Sequence, residues 1–239
     1  MPVEPAHPVV RPGWGPEKPL SGVTLLLVED SRFASEAMRL LCLRSGARIR
    51  RADTLAAAWR HLRSYRPNGV VVDLGLPDGR GETLIADLAK AQPRIWMILA
   101  TSGDDGAEDR AMAAGADGFL GKPLVNLSVF QATVLSLLPA RPAPAAISAP
   151  PGDKVRPDPF AYCDDMKHAA SILAGLSGPD DLAYVTQFLG GVARTAKDLP
   201  LEKAVSGLAR VPRSRAKNSA ALLQLTCMVD ARIAASGPV

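Results

Sequence analysis

Four side chains with reactive chemistry stand directly after apolar runs: Glu29 and Asp30 after TLLLV, Asp73 after GVVV, and Lys122 after GFLG. A charge next to a buried element is costly unless something neutralises it, so each of them needs a reason. Taken one at a time, the reasons are ordinary. Asp30 or Ser31 can cap a helix, LPDG and DGRG after Asp73 are turn chemistry, TSGDD reads as an N-cap loop, and Lys122 can be a solvated loop charge. Taken together, three carboxylates at one place repel unless protons or a cation neutralise them, and an all-oxygen set that includes a backbone carbonyl suits Mg2+. An ammonium beside such a cluster can balance charge on a transferring phosphoryl group, so the chemistry pointed to is metal-assisted phosphoryl transfer.

The elements that would bring these residues together can be read from the hydrophobic pattern. TLLLV (24–28), ARIRRA (47–52), GVVVD (69–73), RIWMILA (94–100) and GFLG (118–121) read as strands. Each is followed by a helical pattern: FASEAMRLLCLR, TLAAAWRHLRSY, ETLIADLAKA, AEDRAMAAG and NLSVFQATVLSLL. This alternation predicts an α/β fold, a doubly wound five-stranded parallel sheet with helices on both faces. Such a sheet binds ligands outside the carboxyl ends of its strands. Those ends carry Glu29, Asp30, Asp73, the segment Ala100, Thr101 and Ser102, and Lys122 followed by Pro123.

Composition sets the outer bounds. The 239 residues suffice for two modest folded units, and 47% hydrophobic with 22% charged residues predicts a globular chain. A net charge of +4, with acidic and basic residues mixed, gives little support for a nucleic-acid partner. Cys42, Cys163 and Cys227 are widely spaced, form no metal-ligand pattern, and are expected as reduced core residues. No apolar run is long enough to span a membrane and no secretory h-region is present, which leads to an expected cytoplasmic location. Proline-rich stretches at 1–19 and 139–159 divide the chain into a tail, a unit at 20–138, a linker, and a second unit at 160–239.

LLLVEDS, VVVDLGLPDGRG, ILATSGDD and AAGADGFLGKP, in this order and spacing, resemble the flavodoxin-like receiver domain of bacterial two-component response regulators over about residues 22–138. The resemblance implies that Asp73 is the phosphoacceptor, receiving its phosphoryl group from a histidine kinase or a histidine phosphotransfer protein. It implies Mg2+ held by Asp30, by Glu29 through water, by Asp73 and by the carbonyl of Gly75. Lys122 would pair with a phosphoryl oxygen, and Lys122–Pro123 is a candidate cis peptide. Pro77 and Gly81 would shape the loop after the acceptor, and Phe119 takes the place of the switch aromatic. One position departs from the pattern: the hydroxyl residue expected at the end of the fourth strand falls on Ala100, with Thr101 next to it. Successive strand residues point to opposite faces, so phosphorylation can persist while the conformational response is altered. Gly75, two residues after the acceptor, presents no side chain to shield an acyl phosphate, which predicts open access for water and a short-lived phosphate.

Residues 160–239 predict an all-α bundle. Phe160, Cys163, Met166, Ala170, Leu173 and Leu176 recur at helical spacing, as do Leu182, Val185, Leu189, Val192 and Ala196, and these stripes are expected to be core. Further apolar stripes follow at Leu201, Val205 and Leu208, and at Leu222, Leu225, Val229 and Ile233. QFLGGVARTAKDLPLEKAVSGL faintly resembles a histidine phosphotransfer module, matching Leu189 and Gly191 but with Gln187 where its His would stand. His168 lies elsewhere without that motif. The bundle would then dock partners without relaying phosphate; an unrelated output or dimerisation bundle is the alternative. Arg210, Arg213, Arg215 and Lys217 form a basic cluster interrupted by Pro212 and Ser214, and no helix-turn-helix pattern accompanies it. The expected function is a response regulator acting through a downstream protein partner, with homodimerisation as one option, rather than through a membrane or nucleic acid. A DNA-binding transcriptional regulator and a phosphate-independent scaffold are the other readings.

Overall fold

The computed structural model describes residues 18–139, 153–212, 216 and 219–235. The expected tail up to residue 17, linker residues 140–152, and Arg213, Arg215 and Lys217 of the basic cluster lie outside them.

The first unit is built from strands β1 (Thr24–Val28), β2 (Arg48–Ala52), β3 (Gly69–Asp73), β6 (Met97–Ser102) and β7 (Gly118–Gly121), in the order β2-β1-β3-β6-β7. All neighbouring pairs are parallel. Helices α1 (Arg32–Ser45), α2 (Leu55–Ser64), α3 (Gly81–Lys90), α4 (Ala107–Ala114) and α5 (Leu127–Leu137) cover both faces. The alternation of side chains along the central strands sorts the core. Leu25, Leu27, Val71 and Leu99 face α1 and α5, packing on Met38, Leu41, Phe130 and Val134. Leu26, Val28, Val70, Val72, Ile98 and Ala100 face α2, α3 and α4, packing on Ala58, Ile85, Leu88 and Ala111. Both faces are buried, which is why these strands are runs of Val, Leu and Ile without polar alternation.

Two details differ from the sequence reading. The fourth sheet strand covers Met97–Ser102 rather than 94–100, because pairing with β3 begins at Gly69 opposite Met97 and carries on to Asp73 opposite Thr101. The glycine loop after Asp73 also contains a small hairpin, β4 (Gly75–Leu76) with β5 (Gly79–Arg80). Gly79 takes φ 153 and Gly81 has no room for a side chain: a Cβ there would lie 2.1 Å from the carbonyl oxygen of Asp73.

Helices α6 (Pro159–Ala174), α7 (Pro179–Ala196), α8 (Leu199–Ala209) and α9 (Ala220–Ala235) form the second unit. Met166, Leu173, Val185, Leu189, Val192, Leu201, Val205, Leu208, Leu225 and Val229 make its core. Phe160 does not join it and is 76% exposed, because it sits in the first turn of α6, outside the bundle core. Cys42 and Cys163 are buried as expected, but Cys227 is exposed, lying off the Leu222, Leu225 and Val229 face of α9. Asp198 ties the unit together: its carboxylate caps α8 at Leu201 N (3.1 Å), accepts from the Tyr162 hydroxyl (2.7 Å) and pairs with Nε and Nη2 of Arg232 (2.5 and 2.7 Å).

The end of the expected linker is not free. Asn126 and Lys154 form an antiparallel bridge, Val155 N donates to Val125 O (2.9 Å), Asp153 pairs with Arg44, and the Val155 side chain is buried in the core beneath α1 and α5.

Candidate functional site

The parallel sheet delivers the strand-end residues to one edge. Val28 is the last residue of β1, so Glu29 and Asp30 leave the sheet where β3 presents Asp73, and Gly121 at the end of β7 places Lys122 across from them. Carboxylate oxygens of Glu29, Asp30 and Asp73 lie within 4.8 Å of one another. The Lys122 Nζ sits 2.8 Å from Glu29 Oε2 and 3.1 Å from Asp73 Oδ1. The Lys122–Pro123 bond is cis, and Lys122 N donates to Ser102 O (2.9 Å), fixing the loop that carries the ammonium.

The electrostatics follow from burial. Burial and then the neighbouring Glu29 push the Asp30 carboxyl up to about 7, against the Tyr184 hydroxyl and Lys122, which act the other way. Asp73 is held well above the usual carboxylate range, burial outweighing the attraction of Lys122. Burial alone would lower Lys122, but Asp73 and Glu29 overcome it and hold the ammonium above its ordinary value. One ammonium against three clustered carboxylates leaves the site short of positive charge. A hard divalent cation corrects that shortage, and the donors are all oxygen, so the residues present fit such an ion.

The switch positions resolve by face. Ala100 pairs with Phe119 across β6 and β7, and both pack on the side of α2, α3 and α4. Thr101 pairs with Asp73 and Leu120, and its buried hydroxyl donates to the Leu120 carbonyl (2.8 Å). The strand stays regular through Ser102, so the Thr101 hydroxyl does not replace one at position 100. Ser102, whose Oγ accepts from Asp104 N (3.2 Å), is the hydroxyl residue of β6 that lines the site, alongside Ser31 from the end of β1. Pro77 lies on the hairpin of the loop after Asp73, and that loop closes through Gly81 N donating to Leu74 O (3.1 Å).

The second unit packs onto this edge, and here the expected open approach at Gly75 is overturned. The Gln187 carboxamide of α7 fills the space a side chain at Gly75 would take: a Cβ would lie 2.6 Å from both Cδ and Nε2 of Gln187. Gln187 Nε2 donates to Asp104 Oδ2 (3.2 Å), and Arg194 Nη2 pairs with Asp104 Oδ1 (2.8 Å) while its guanidinium covers Gly103. The Tyr184 hydroxyl donates to Asp30 Oδ2 (2.6 Å). On α6, the buried carboxylate of Asp165 accepts from Ser31 Oγ (2.6 Å), Arg32 N (2.8 Å) and Phe33 N (3.0 Å), so it sits on the amino terminus of α1, where the helix dipole favours a negative charge. Burial still raises the Asp165 carboxyl to about 6, these hydrogen bonds opposing it. His168 contacts the Tyr184 hydroxyl through Nε2 (3.3 Å) and stays on the rim. Asp104, Asp165, Tyr184 and Arg194 were not legible as site residues, since each acts across more than 80 positions of sequence on a partner that only the docked arrangement supplies.

Comparison with known proteins finds relatives of the first unit. The model of the response regulator receiver domain family matches residues 25–133. The KDP operon transcriptional regulatory protein KdpE of Escherichia coli (strain K12) is 31% identical over 99 residues, 41% of this chain and 44% of that protein. The DNA-binding transcriptional regulator NtrC of Azospirillum brasilense is 25% identical over 182 residues, 75% of this chain and 37% of that protein. The chain therefore spans less than half the length of these two relatives. A solved putative response regulator from Chloroflexus aurantiacus is 29% identical over 42% of this chain and 85% of its own, with a TM-score of 0.41.

Proposed function

We propose that this chain, whose residues 25–133 match the model of the response regulator receiver domain family, accepts a phosphoryl group from a phosphohistidine of a kinase or phosphotransfer protein onto Asp73. One observation carries the reading: Asp73 lies at the carboxyl end of a buried strand with Lys122 Nζ 3.1 Å from its Oδ1 and two more carboxylates beside it. In the transfer, an Asp73 carboxylate oxygen attacks phosphorus, the O–P bond forms as the N–P bond to imidazole breaks, and the departing nitrogen keeps the electron pair. Lys122 balances charge on a phosphoryl oxygen and holds the carboxylate in place. Glu29, Asp30, Asp73 and the Gly75 carbonyl would hold a Mg2+ ion, which supplies the positive charge that keeps Asp73 ionised and draws phosphoryl oxygens to the site. The helices α6–α9 would pass the signal on through protein contacts.

Intact-mass measurement after incubation with acetyl phosphate or a phosphorylated histidine donor and Mg2+ tests this. Wild type gains one phosphoryl group and Asp73→Asn gains none; no gain on wild type where a control receiver is phosphorylated removes the reading. Ala100 favours a second reading, in which partner binding does not depend on phosphate, because no hydroxyl stands opposite Phe119 to respond to it. Equal partner affinity of the phosphorylated and unphosphorylated chain would select that reading.

A further inference from the structure

We propose that the C-terminal helices seal the acceptor in cis, so that docking of the bundle and phosphorylation of Asp73 exclude each other. This rests on reading Asp73 as the phosphoacceptor. The space left between the two units at the site is about 10 Å³, lined by Glu29, Asp73, Gly75, Lys122, Gln187 and Gly191. That is about the volume a single water probe occupies. A phosphoryl group brings three oxygens, and its donor brings an imidazole ring that must reach phosphorus in line with the Asp73 oxygen. Neither fits while α7 is seated.

The seal is made by residues whose types suit it. Gln187 reaches the space beside Gly75 with a carboxamide, which fills the approach without being able to deliver phosphate. Gly191 lets α7 come close to the ammonium: a Cβ there would stand 3.8 Å from Lys122 Nζ, and any longer side chain would have to displace it. Tyr184 occupies an oxygen of Asp30. The hold includes several polar contacts: Asp165 on the first amides of α1 and Gln187 and Arg194 on Asp104, with the Phe33 and Tyr162 rings in edge contact at 5.7 Å. Polar contacts of this kind are typical of interfaces inside a chain that open and close. Reciprocity then requires that whatever binds only the open site weakens docking by the factor by which docking weakens its binding.

The test uses the full chain. Asp165→Asn loosens the grip on α1 and Gly191→Leu wedges α7 away from Lys122; the two act at different places, so a folding defect in one leaves the other informative. Docking is read in wild type and in Gly191→Leu from hydrogen exchange at the Arg32 and Phe33 amides, which Asp165 holds in the sealed form; in Asp165→Asn, which alters their acceptor itself, the phosphorylation rate is the reading that counts. Gly191→Leu should exchange faster there, and both variants should accept phosphate from a phosphohistidine donor about tenfold faster than wild type, since the apparent rate scales with the open fraction. Beryllium fluoride with Mg2+, added to wild type as a phosphoryl mimic, should speed exchange at the same amides. Faster exchange with an unchanged phosphorylation rate overturns the seal. Absence of phosphorylation in the opened variants, where a control receiver reacts, overturns the acceptor reading instead. Exchange that slows with rising protein concentration would place the seal between two copies and overturn its action in cis.

Discussion

The Tyr184 hydroxyl, carried on a helix 154 positions further along the chain, donates a 2.6 Å hydrogen bond to Oδ2 of Asp30. Asp30 is one of the three clustered carboxylates, so a side chain from the second unit engages an oxygen that a cation would use.

Removing that donor should favour the metal. Tyr184→Phe keeps the ring that packs beside Phe188 (5.9 Å between centroids) and deletes only the hydroxyl. We expect Mg2+ to bind about 3- to 10-fold more tightly, the equivalent of one net hydrogen bond of about 1 kcal/mol, measured by isothermal titration calorimetry. Equal or weaker binding would mean that the bond does not compete.

The Asp30 carboxyl should set a pH dependence of stability. Its folded value of about 7, against an ordinary 3.8, means that the folded chain holds more protons between those limits than the unfolded one. Stability contributed by this group is therefore greatest below about pH 4 and falls as pH rises towards 7. Asp30→Asn should flatten that slope and stabilise the metal-free chain by about 1 to 3 kcal/mol at pH 7.5. Urea unfolding across pH 4.5 to 7.5 checks it.

Asp198 works in the opposite direction. The hydrogen bonds from Arg232 and then Tyr162 outweigh partial burial and hold its carboxyl down to about 2. Its contribution is present above pH 4 and lost as pH falls from about 4 to 2. Asp198→Asn should remove that acid sensitivity and, with the weakened α8 cap, cost about 1 kcal/mol at neutral pH. An Asp198→Asn chain as stable as wild type at pH 7 and as sensitive below pH 4 would contradict it.

Gly81→Ala should be damaging in proportion to its geometry. The new methyl would meet the Asp73 carbonyl oxygen at 2.1 Å, and its nearest neighbours are all backbone atoms of Asp73 and Leu74, with no flexible side chain to yield. A loss of about 1 to 3 kcal/mol and a misplaced Asp73 should follow, seen as a lower denaturation midpoint and slower phosphorylation. An unchanged midpoint would show that the loop relaxes freely.

The parallel sheet and the strand-end carboxylates were legible in the sequence because both depend on short-range pattern: Val70, Val71 and Val72 announce a strand buried on two faces, and whatever follows must sit at its end. The end of the fourth strand was less legible, since register is set by Gly69 meeting Met97 and not by the apolar run that starts at Arg94. Gly75 was misread for a different reason. Its lack of a side chain looked like an opening to water, whereas the empty volume is filled by Gln187 from α7. Periodicity identifies the core of that helix at Val185, Leu189 and Val192 but does not say what its other face covers. Phe160 shows the converse: it keeps the helical spacing but stands in the first turn of α6, where it stays outside the bundle core and largely exposed.

The pinning of Val155 beneath α1 and α5 leaves only Arg156, Pro157 and Asp158 between that anchor and the first residue of α6. Three residues reach about 10 to 11 Å at full stretch. The bundle can therefore pivot but cannot diffuse away, and its effective local concentration at the acceptor stays in the millimolar range set by so short a tether. On the proposed reading, a phosphohistidine donor arriving from solution would have to compete against that fixed concentration.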